Sequence, residues 1–357
     1  MRQFMWMLAS LGVLAVVGCT QSSPGPGASE AVDGRGTTGG GKVNTSLTGT
    51  IKIEGSSTVG PISTKAREKF NSQFPNVNVT IGEQGTSNGF SSFGKKEIDI
   101  SDASRPIKAQ ELTACRDGDV DFYELAIAYD GLTFVVHAEN DFCRQLTVEQ
   151  LKKIFRKDMA AVTWREVDES WPDEKISVYA PGIQSGTHDY CMEVLGKADN
   201  VEMRADQQTT LSEDDKQLVT GVLGDKYAIG FFGFAYYHSS KEKLRAVSIV
   251  NSQGQAIEPS LATIENGSYE PFSRPLFIYV NQGSYQRAEV AEFVDFFLLN
   301  AADIVRQASY VPLPAEIYEI NRAILDEERV GTHFQTADGK AREGTLVEIL
   351  STPAVSR

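Results

Sequence analysis

Residues that commonly bind metal ions are scarce in this sequence of 357 residues, which contains four cysteines and four histidines. The cysteines form no Cys-x-x-Cys pair, and the histidines are scattered along the chain. Neither arrangement has the spacing that is typical of a metal site. We therefore expect no bound metal ion and no cofactor.

Positive charge is also scarce, because 34 Lys and Arg face 48 Asp and Glu, for a net charge of −14. Such a chain has no overall field that attracts nucleic acid or an anionic membrane surface, and we exclude nucleic acid as a partner. Charge alone argues against a small anion too, an expectation that the motifs reverse. The 41% of hydrophobic residues excludes a wholly disordered chain, and the length predicts about two domains of about 150 residues.

The N-terminus carries an apolar run from Phe4 to Val17 that is shorter than a membrane-spanning helix and follows the positive charge of Arg2. This layout predicts a signal peptide over residues 1–18. The ending Val-Val-Gly-Cys resembles a bacterial lipobox, which implies a lipid on Cys19 and makes the mature chain a lipoprotein. A buried N-terminal helix with a chance cysteine is the alternative. Residues 19–46 are rich in Gly, Ser and Pro and predict a flexible tether.

Three further cysteines lie in the body of the chain. Cys115 and Cys143 flank the apolar stretch 122–137, which we expect to run out and back across a sheet, and an exported protein favours disulfides. We therefore predict a Cys115–Cys143 disulfide. Cys191 lies in an amphipathic pattern and is predicted to be a small buried residue of a helix.

Strand and helix patterns alternate from residue 47 onward, which predicts an α/β fold with parallel sheets. One local unit recurs: a strand, a cluster of Gly, Ser and Thr, and a helix. The clusters are residues 55–58, 85–89 and 185–187. Free N–H groups at a helix start bind anions well, so convergence of these clusters predicts an oxyanion site. Ordinary helix capping is the alternative for each cluster.

The motifs resemble, in order, those of the PstS-type phosphate-binding proteins, and the 181–187 and 212–215 segments are most similar to the cyanobacterial-type branch. The similarity covers about residues 47–325. The matching segments are Gly55-Ser56-Ser57-Thr58, Gly85-Thr86-Ser87-Asn88-Gly89, Ser101-Asp102-Ala103-Ser104-Arg105-Pro106, the 146–155 stretch with Trp164, Ser185-Gly186-Thr187, 228–233 and 274–280.

The resemblance implies a two-lobed type II periplasmic-binding-protein fold, in which each lobe is a mostly parallel sheet flanked by helices. Lobe one is then residues 47–130 plus 271–345 and lobe two is 131–270, with crossings near Asp130 and Arg274. It further implies a monomeric protein, periplasmic or at the cell surface. Such a protein holds inorganic phosphate in the cleft between the lobes and delivers it to an ABC permease.

Carried over residue by residue, the resemblance implies that Ser57, Thr58 and Ser87 bind phosphate from lobe one, with Ser104 beside them. Ser185, Gly186 and Thr187 bind it from lobe two. Two positions depart from the family pattern. Pro181 replaces an Arg, and Ser104 replaces an Asp, which leaves Asp102 as the nearest carboxylate. We expect the missing cation to be Arg105 or, second, Arg204, with a surface ion pair as the alternative for each.

Other functions remain open from the sequence. Ser185, His188 and Asp189 suggest a hydrolase, but all three fall on one predicted helix, the sequence around Ser185 is not G-x-S-x-G, and His188 is predicted to lie on the helix surface. We therefore predict a binding protein and not an enzyme. The remaining alternatives are a protein that binds another oxyanion such as sulfate, a surface protein for adhesion, and a protein that hydrolyses phosphoesters.

Overall fold

The computed structural model describes residues 44–356 except 184, 197–199, 213 and 243, and it describes no side chains for 239 and 240. The predicted signal peptide, the Cys19 anchor and nearly all of the tether lie outside the described residues. None of the described helices has the length and hydropathy needed to cross a bilayer.

Strands and helices alternate through most of the chain, so the α/β prediction is confirmed. Up to the longest strand the elements are β1 (Gly49–Gly55), α1 (Gly60–Asn71), β2 (Val77–Glu83), α2 (Thr86–Gly94), β3 (Ile100–Ala103), α3 (Ala109–Asp117) and β4 (Phe122–His137). The middle of the chain forms β5 (Gln145–Leu146), α4 (Val148–Phe155), α5 (Trp164–Val167), β6 (Ser177–Pro181), α6 (Gly186–Leu195), β7 (Thr209–Ser212), α7 (Asp215–Gly224), β8 (Ala228–Gly233), α8 (Phe234–Ser240), β9 (Leu244–Ala246), β10 (Ser248–Val250), β11 (Ala256–Ile257) and α9 (Leu261–Glu265). The last elements are β12 (Ser273–Asn281), α10 (Gln282–Tyr285), α11 (Ala288–Gln307), β13 (Val311–Pro312), α12 (Ala315–Asp326) and α13 (Leu346–Leu350).

The main sheet has the strand order β2-β1-β3-β12-β4-β8-β6-β7, and β9 and β13 add to β4. Strand β1 is parallel to β2 and β3, and β6 is parallel to β7 and β8. At the centre, β12 and β8 are antiparallel to β4, so the sheet is mixed. A small sheet of β11, β10 and β5 lies apart from it.

Strand β4 belongs to two parts of this sheet. Its residues 122–131 pair with β12, and its residues 132–136 pair with β8. We call β1, β2, β3, β12 and the start of β4 the first part of the sheet, and β6, β7, β8 and the end of β4 the second part. At the junction of the two parts Arg274 pairs with Asp130.

The apolar faces of the helices follow the helical period. In α1, Ile62, Ala66 and Phe70 are buried at spacing four, as the sequence predicts. Phe70 packs edge to face on Phe293 of α11, with the ring centroids 5.2 Å apart. Helix α11 has nine buried side chains, and their removal from water anchors it to the first part of the sheet.

The predicted Cys115–Cys143 disulfide is wrong, because Cys115, Cys143 and Cys191 are all free and buried. Cys115 lies in α3, before β4, and Cys143 follows β4. The stretch between them does not turn back at Asp130-Gly131, since β4 is one strand of 16 residues. At about 3.3 Å per residue this strand spans about 50 Å. A disulfide needs Cα atoms within about 7 Å.

Candidate anion-binding site

A cleft of about 760 Å³ lies between the ends of three strands and helix α6. The turns after β1, β2 and β3 meet here because these strands are parallel and their carboxyl ends share one edge of the sheet. The first part of the sheet contributes Ser56, Ser57, Thr58, residues 84–88, Ser104, Arg105 and Lys108. The opposite wall contains Ile183, His188, Asp189, Met192, Glu193, residues 200–203, Ala205 and Leu211.

The turn after β1 is held very close to the end of β3. The Ser56 N–H donates to the carbonyl oxygen of Asp102 at 2.9 Å. Gly55 has φ +143°, and a Cβ there would lie 2.1 Å from the same oxygen, so this turn requires glycine. The close approach places Ser57 and Thr58 beside Ser104 in the cleft wall.

Thr86 is a cleft residue that sequence analysis missed. Its Oγ1 lies 3.1 Å from the Ser104 Oγ and accepts a hydrogen bond from the Ser104 N–H at 3.2 Å. The predicted residue Ser87 also lines the cleft. The Gly, Ser and Thr cluster 85–89 indicated that a ligand lies here. Deciding between Thr86 and Ser87 requires knowing where α2 begins, and it begins at Thr86.

Helix α6 directly contacts the turn that follows β1. The Ser57 Oγ donates to Asp189 Oδ2 at 3.0 Å, and the Thr58 Oγ1 donates to the Gly186 carbonyl at 3.5 Å. A Cβ on Gly186 would lie 2.6 Å from the Thr58 Cα. The two walls of the cleft are therefore in contact at Thr58 and Gly186.

The predicted phosphate ligands of lobe two lie beside the cleft and are not among its described lining residues. They are Ser185, Gly186 and Thr187. They form the start of α6, where the Ser185 Oγ accepts from the Thr187 N–H at 3.2 Å and caps the helix. Gly186 brings this helix start against Thr58. The N-terminus of α6 therefore points at the turn that follows β1.

Arg105, the first predicted cation, lines the cleft on the first part of the sheet. Its guanidinium binds both carboxylate oxygens of Glu111, at 2.7 and 2.8 Å, and donates to the Ser87 Oγ at 3.0 Å. This bidentate pair fixes the planar group against the start of α2.

Arg204, the second predicted cation, is not brought to the cleft. Its side chain is buried, and its guanidinium donates to the carbonyls of Ile154 and Ala161 and to Asp206 at 2.6 Å. The neighbours Met203 and Ala205 line the cleft instead. In this extended segment, side chains that alternate in direction send Arg204 the other way.

Asp102 lies under the cleft wall and does not line it. Its carboxyl group is buried and accepts from the Ser63 Oγ at 3.0 Å. Burial raises the pKa of Asp102 to about 8, against the opposing effect of the Ser63 hydrogen bond. At neutral pH this carboxyl group is therefore mostly protonated and supports the turn from below.

A second buried carboxylate, Glu124 of β4, supports the segment that carries Ser104 and Arg105. The Ile107 N–H donates to the Tyr279 hydroxyl at 2.9 Å, and that hydroxyl donates to Glu124 at 2.6 Å. The His333 N–H donates to the other oxygen of Glu124 at 2.6 Å. The C-terminal part of the chain thus fixes the turn after β3.

The predicted surface position of His188 is wrong. Its side chain is buried, and its Nδ1 lies 2.9 Å from the Pro181 carbonyl oxygen. Asp189 instead accepts from Ser57, and the Ser185 Oγ caps α6. These described contacts join none of the three side chains into a nucleophile and base.

Arg274 is a further residue that sequence analysis did not place at the site. Its guanidinium donates to the Thr58 Oγ1 at 3.3 Å and lies 3.4 Å from Asp130 and 2.5 Å from Glu193. It also stacks on the Tyr190 ring, 3.6 Å from the centroid. In the sequence, Arg274 marked only a crossing between the lobes and the start of the matching 274–280 segment.

A profile of the PBP superfamily domain matches residues 39–301. The chain is 44% identical over 303 residues to Protein SphX of Synechococcus elongatus, which covers 84% of this chain and 87% of that protein. It is 39% identical over 274 residues to Phosphate-binding protein PstS of Staphylococcus haemolyticus, with 76% and 84% covered. The crystal structure of a possible phosphate-binding protein from Planctomyces limnophilus superposes with a TM-score of 0.75 at 40% identity, covering 79% of this chain and 99% of that chain.

Proposed function

The chain belongs to the PBP superfamily, the periplasmic binding proteins, and we propose that it captures inorganic phosphate in its cleft and delivers it to an ABC permease. One observation carries the proposal most: the turns after β1, β2 and β3 converge on one cleft, and the N-terminus of α6 meets them at Thr58. The PstS relative from Staphylococcus haemolyticus is named as a phosphate-binding protein, which supports a role in capture.

The arrangement suits a tetrahedral oxyanion. Helix starts supply N–H donors and partial positive charge, and the hydroxyl groups beside them supply further donors. We assign phosphate binding on the first wall to Ser57, Thr58, Thr86, Ser87, Ser104 and Arg105. On the second wall we assign it to Ser185, Gly186 and Thr187.

We propose that the two parts of the sheet are the cores of two lobes, residues 47–130 plus 271–345 and residues 131–270. The crossing of the chain at Asp130 and Arg274 supports these bounds. Helix α13, beyond residue 345, packs on α12 and belongs to lobe one. Phosphate that contacts both lobes favours the closed form, since only closure brings both walls to the ligand.

The N-terminal sequence supports export, cleavage after residue 18 and a lipid on Cys19, which would hold a monomeric binding protein outside the cytoplasmic membrane. The tether 19–46 would then let the body reach the permease. Mass spectrometry of the membrane fraction tests this part of the proposal. A mature chain that begins at Cys19 with a diacylglyceryl mass supports it, and an uncleaved chain contradicts it.

Asp189 is the carboxylate that we propose for selectivity. It lines the cleft and contacts Ser57 at 3.0 Å. Phosphate near neutral pH still carries a proton that it can donate to this carboxylate, whereas sulfate has none and would meet an unpaired like charge. Asp189→Asn is therefore expected to reduce the preference for phosphate over sulfate.

Calorimetric titration with phosphate, with sulfate as competitor, tests the function. Thr58→Val removes one hydroxyl donor to an anion, a loss of about 1.5–3 kcal/mol or about 10- to 150-fold in affinity. Thr220→Val is the matched control, because the exposed Thr220 Oγ1 of α7 donates only to its own helix, at the Lys216 carbonyl. A preference for sulfate would support the other-oxyanion alternative, and no anion binding at all would contradict both.

A further inference from the structure

Arg274 lies where the two walls of the cleft meet. It is the second residue of β12 and pairs with Asp130 at the junction of the two parts of the sheet. Its side chain is 15% exposed, so its charge is largely removed from water. A buried guanidinium must be matched by nearby acceptors or anions.

The partners of Arg274 come from both sides of the cleft. Thr58, a proposed phosphate ligand, belongs to the first wall and accepts from Arg274 Nη2 at 3.3 Å. Glu193 and Tyr190 belong to α6, and Glu193 lines the opposite wall of the cleft. Arg105, by contrast, is held by Glu111 within the first part of the sheet. Arg274 is therefore positioned to sense an anion that both walls bind.

Two carboxylates face this one guanidinium, and they differ in mobility. Asp130 is 2% exposed and is fixed within the ladder of β4 and β12. Glu193 is 32% exposed, lines the cleft, and has a long side chain that can rotate into water. An incoming dianion can therefore displace Glu193 but not Asp130.

We propose that Arg274 is a phosphate-binding residue of the cleft and that Glu193 occupies its guanidinium until phosphate replaces it. This inference rests on the proposed function. An arginine offers planar donors that match the oxygens of phosphate, and the departure of Glu193 frees Arg274 Nη1 while Nε and Nη2 stay on Asp130. The Arg274 guanidinium then has one mobile anionic partner in each state, Glu193 in the absence of phosphate and phosphate in its presence.

The first test removes the guanidinium. Arg274→Gln alone would leave Asp130 buried without its cation, so it is made in an Asp130→Asn background. We expect the double variant to bind phosphate at least 30-fold more weakly than Asp130→Asn by calorimetry, with a similar melting temperature in the absence of phosphate. Arg156→Gln is the matched control: this buried arginine pairs with Asp158 outside the cleft, and its loss should leave the dissociation constant unchanged.

The second test removes the competing carboxylate. Glu193→Gln should bind phosphate about threefold to tenfold more tightly than the wild type. Glu202→Gln removes the same charge from the same cleft wall, but Glu202 pairs with the exposed Lys157, so we expect little change. A purely structural role of the Arg274–Glu193 pair would give the opposite result, lower stability and no gain in affinity.

Several outcomes would overturn the inference. One is phosphate binding in the double variant within threefold of Asp130→Asn. Another is unchanged or weaker binding in Glu193→Gln, which decides the matter even where the double variant does not fold. Failure of the wild-type protein to bind phosphate would instead reject the proposed function, so the two failures are distinguishable.

Discussion

Gly186→Ala is expected to act on the contact between the two walls of the cleft. The added Cβ would lie 2.6 Å from the Thr58 Cα and 3.0 Å from its nitrogen, so the walls must separate by about 0.8 Å to restore an ordinary 3.4 Å contact. Overpacking of this kind costs about 1–3 kcal/mol. Phosphate must contact both walls at once under the proposed mechanism, and the phosphate dissociation constant should therefore rise by about 5- to 150-fold.

The ligand-free protein should not lose stability through this change. Gly186 is the first residue of α6, and alanine is a better helix residue than glycine by up to about 1 kcal/mol. Gly224→Ala is the matched control, because Gly224 ends α7 and a Cβ there meets nothing within 4 Å. Calorimetry gives the affinity of both variants and thermal melting gives their stability. Equal phosphate affinity in Gly186→Ala and Gly224→Ala would refute the idea that binding closes the walls at Thr58.

Three further predictions concern the body of the protein. Burial raises the pKa of Asp102 to about 8, so the folded protein keeps a proton that the unfolded chain releases near pH 4. The free energy of unfolding should therefore fall by up to about 1.4 kcal/mol per pH unit from pH 5 to 7. Asp102→Asn should lack this fall in urea unfolding, and an unaltered pH profile would reject the assignment. Glu124→Leu leaves two hydroxyls and one amide without their acceptor and should lower the unfolding free energy by about 2–4 kcal/mol, whereas a loss below 1 kcal/mol would mean that the network is dispensable. Thiol labelling of the unfolded body should find Cys115, Cys143 and Cys191 all free, with a melting temperature indifferent to reductant; a mass loss of two hydrogens would show a disulfide after all.

Local patterns in the sequence predicted much of the fold and of the first wall of the cleft. A Gly, Ser and Thr cluster between a strand and a helix is a local signal, and parallel strands necessarily bring such clusters to one edge. Ser57, Thr58 and Ser104 were therefore predictable as neighbours. Thr86 was not separated from Ser87, because adjacent residues at a helix start point about 100° apart and the choice needs the helix boundary.

Contacts between distant segments could not be read in the same way. The place of Arg274 depends on the register between β12 and β4 and on the packing of α6, neither of which a local pattern contains. Glu124 lies within a strand pattern and could not be singled out, because its hydrogen-bond partners lie more than 150 residues away in the chain. The predicted disulfide was wrong for a related reason. Asp130-Gly131 is a frequent turn signal, but here β4 continues through it.

The junction of the two parts of the sheet has a consequence for the entropy of binding. Both crossings of the chain are strands, and they remain hydrogen-bonded to each other there, with Gly131 opposite Ser273 and the Leu132 N–H on the Phe272 carbonyl. Sliding one strand along the other would break those bonds, so the ribbon can twist and flex but cannot shear. The parts thus keep few relative degrees of freedom before a ligand arrives. Under the proposed closure little disorder would be lost, and more of the interaction energy would remain as affinity.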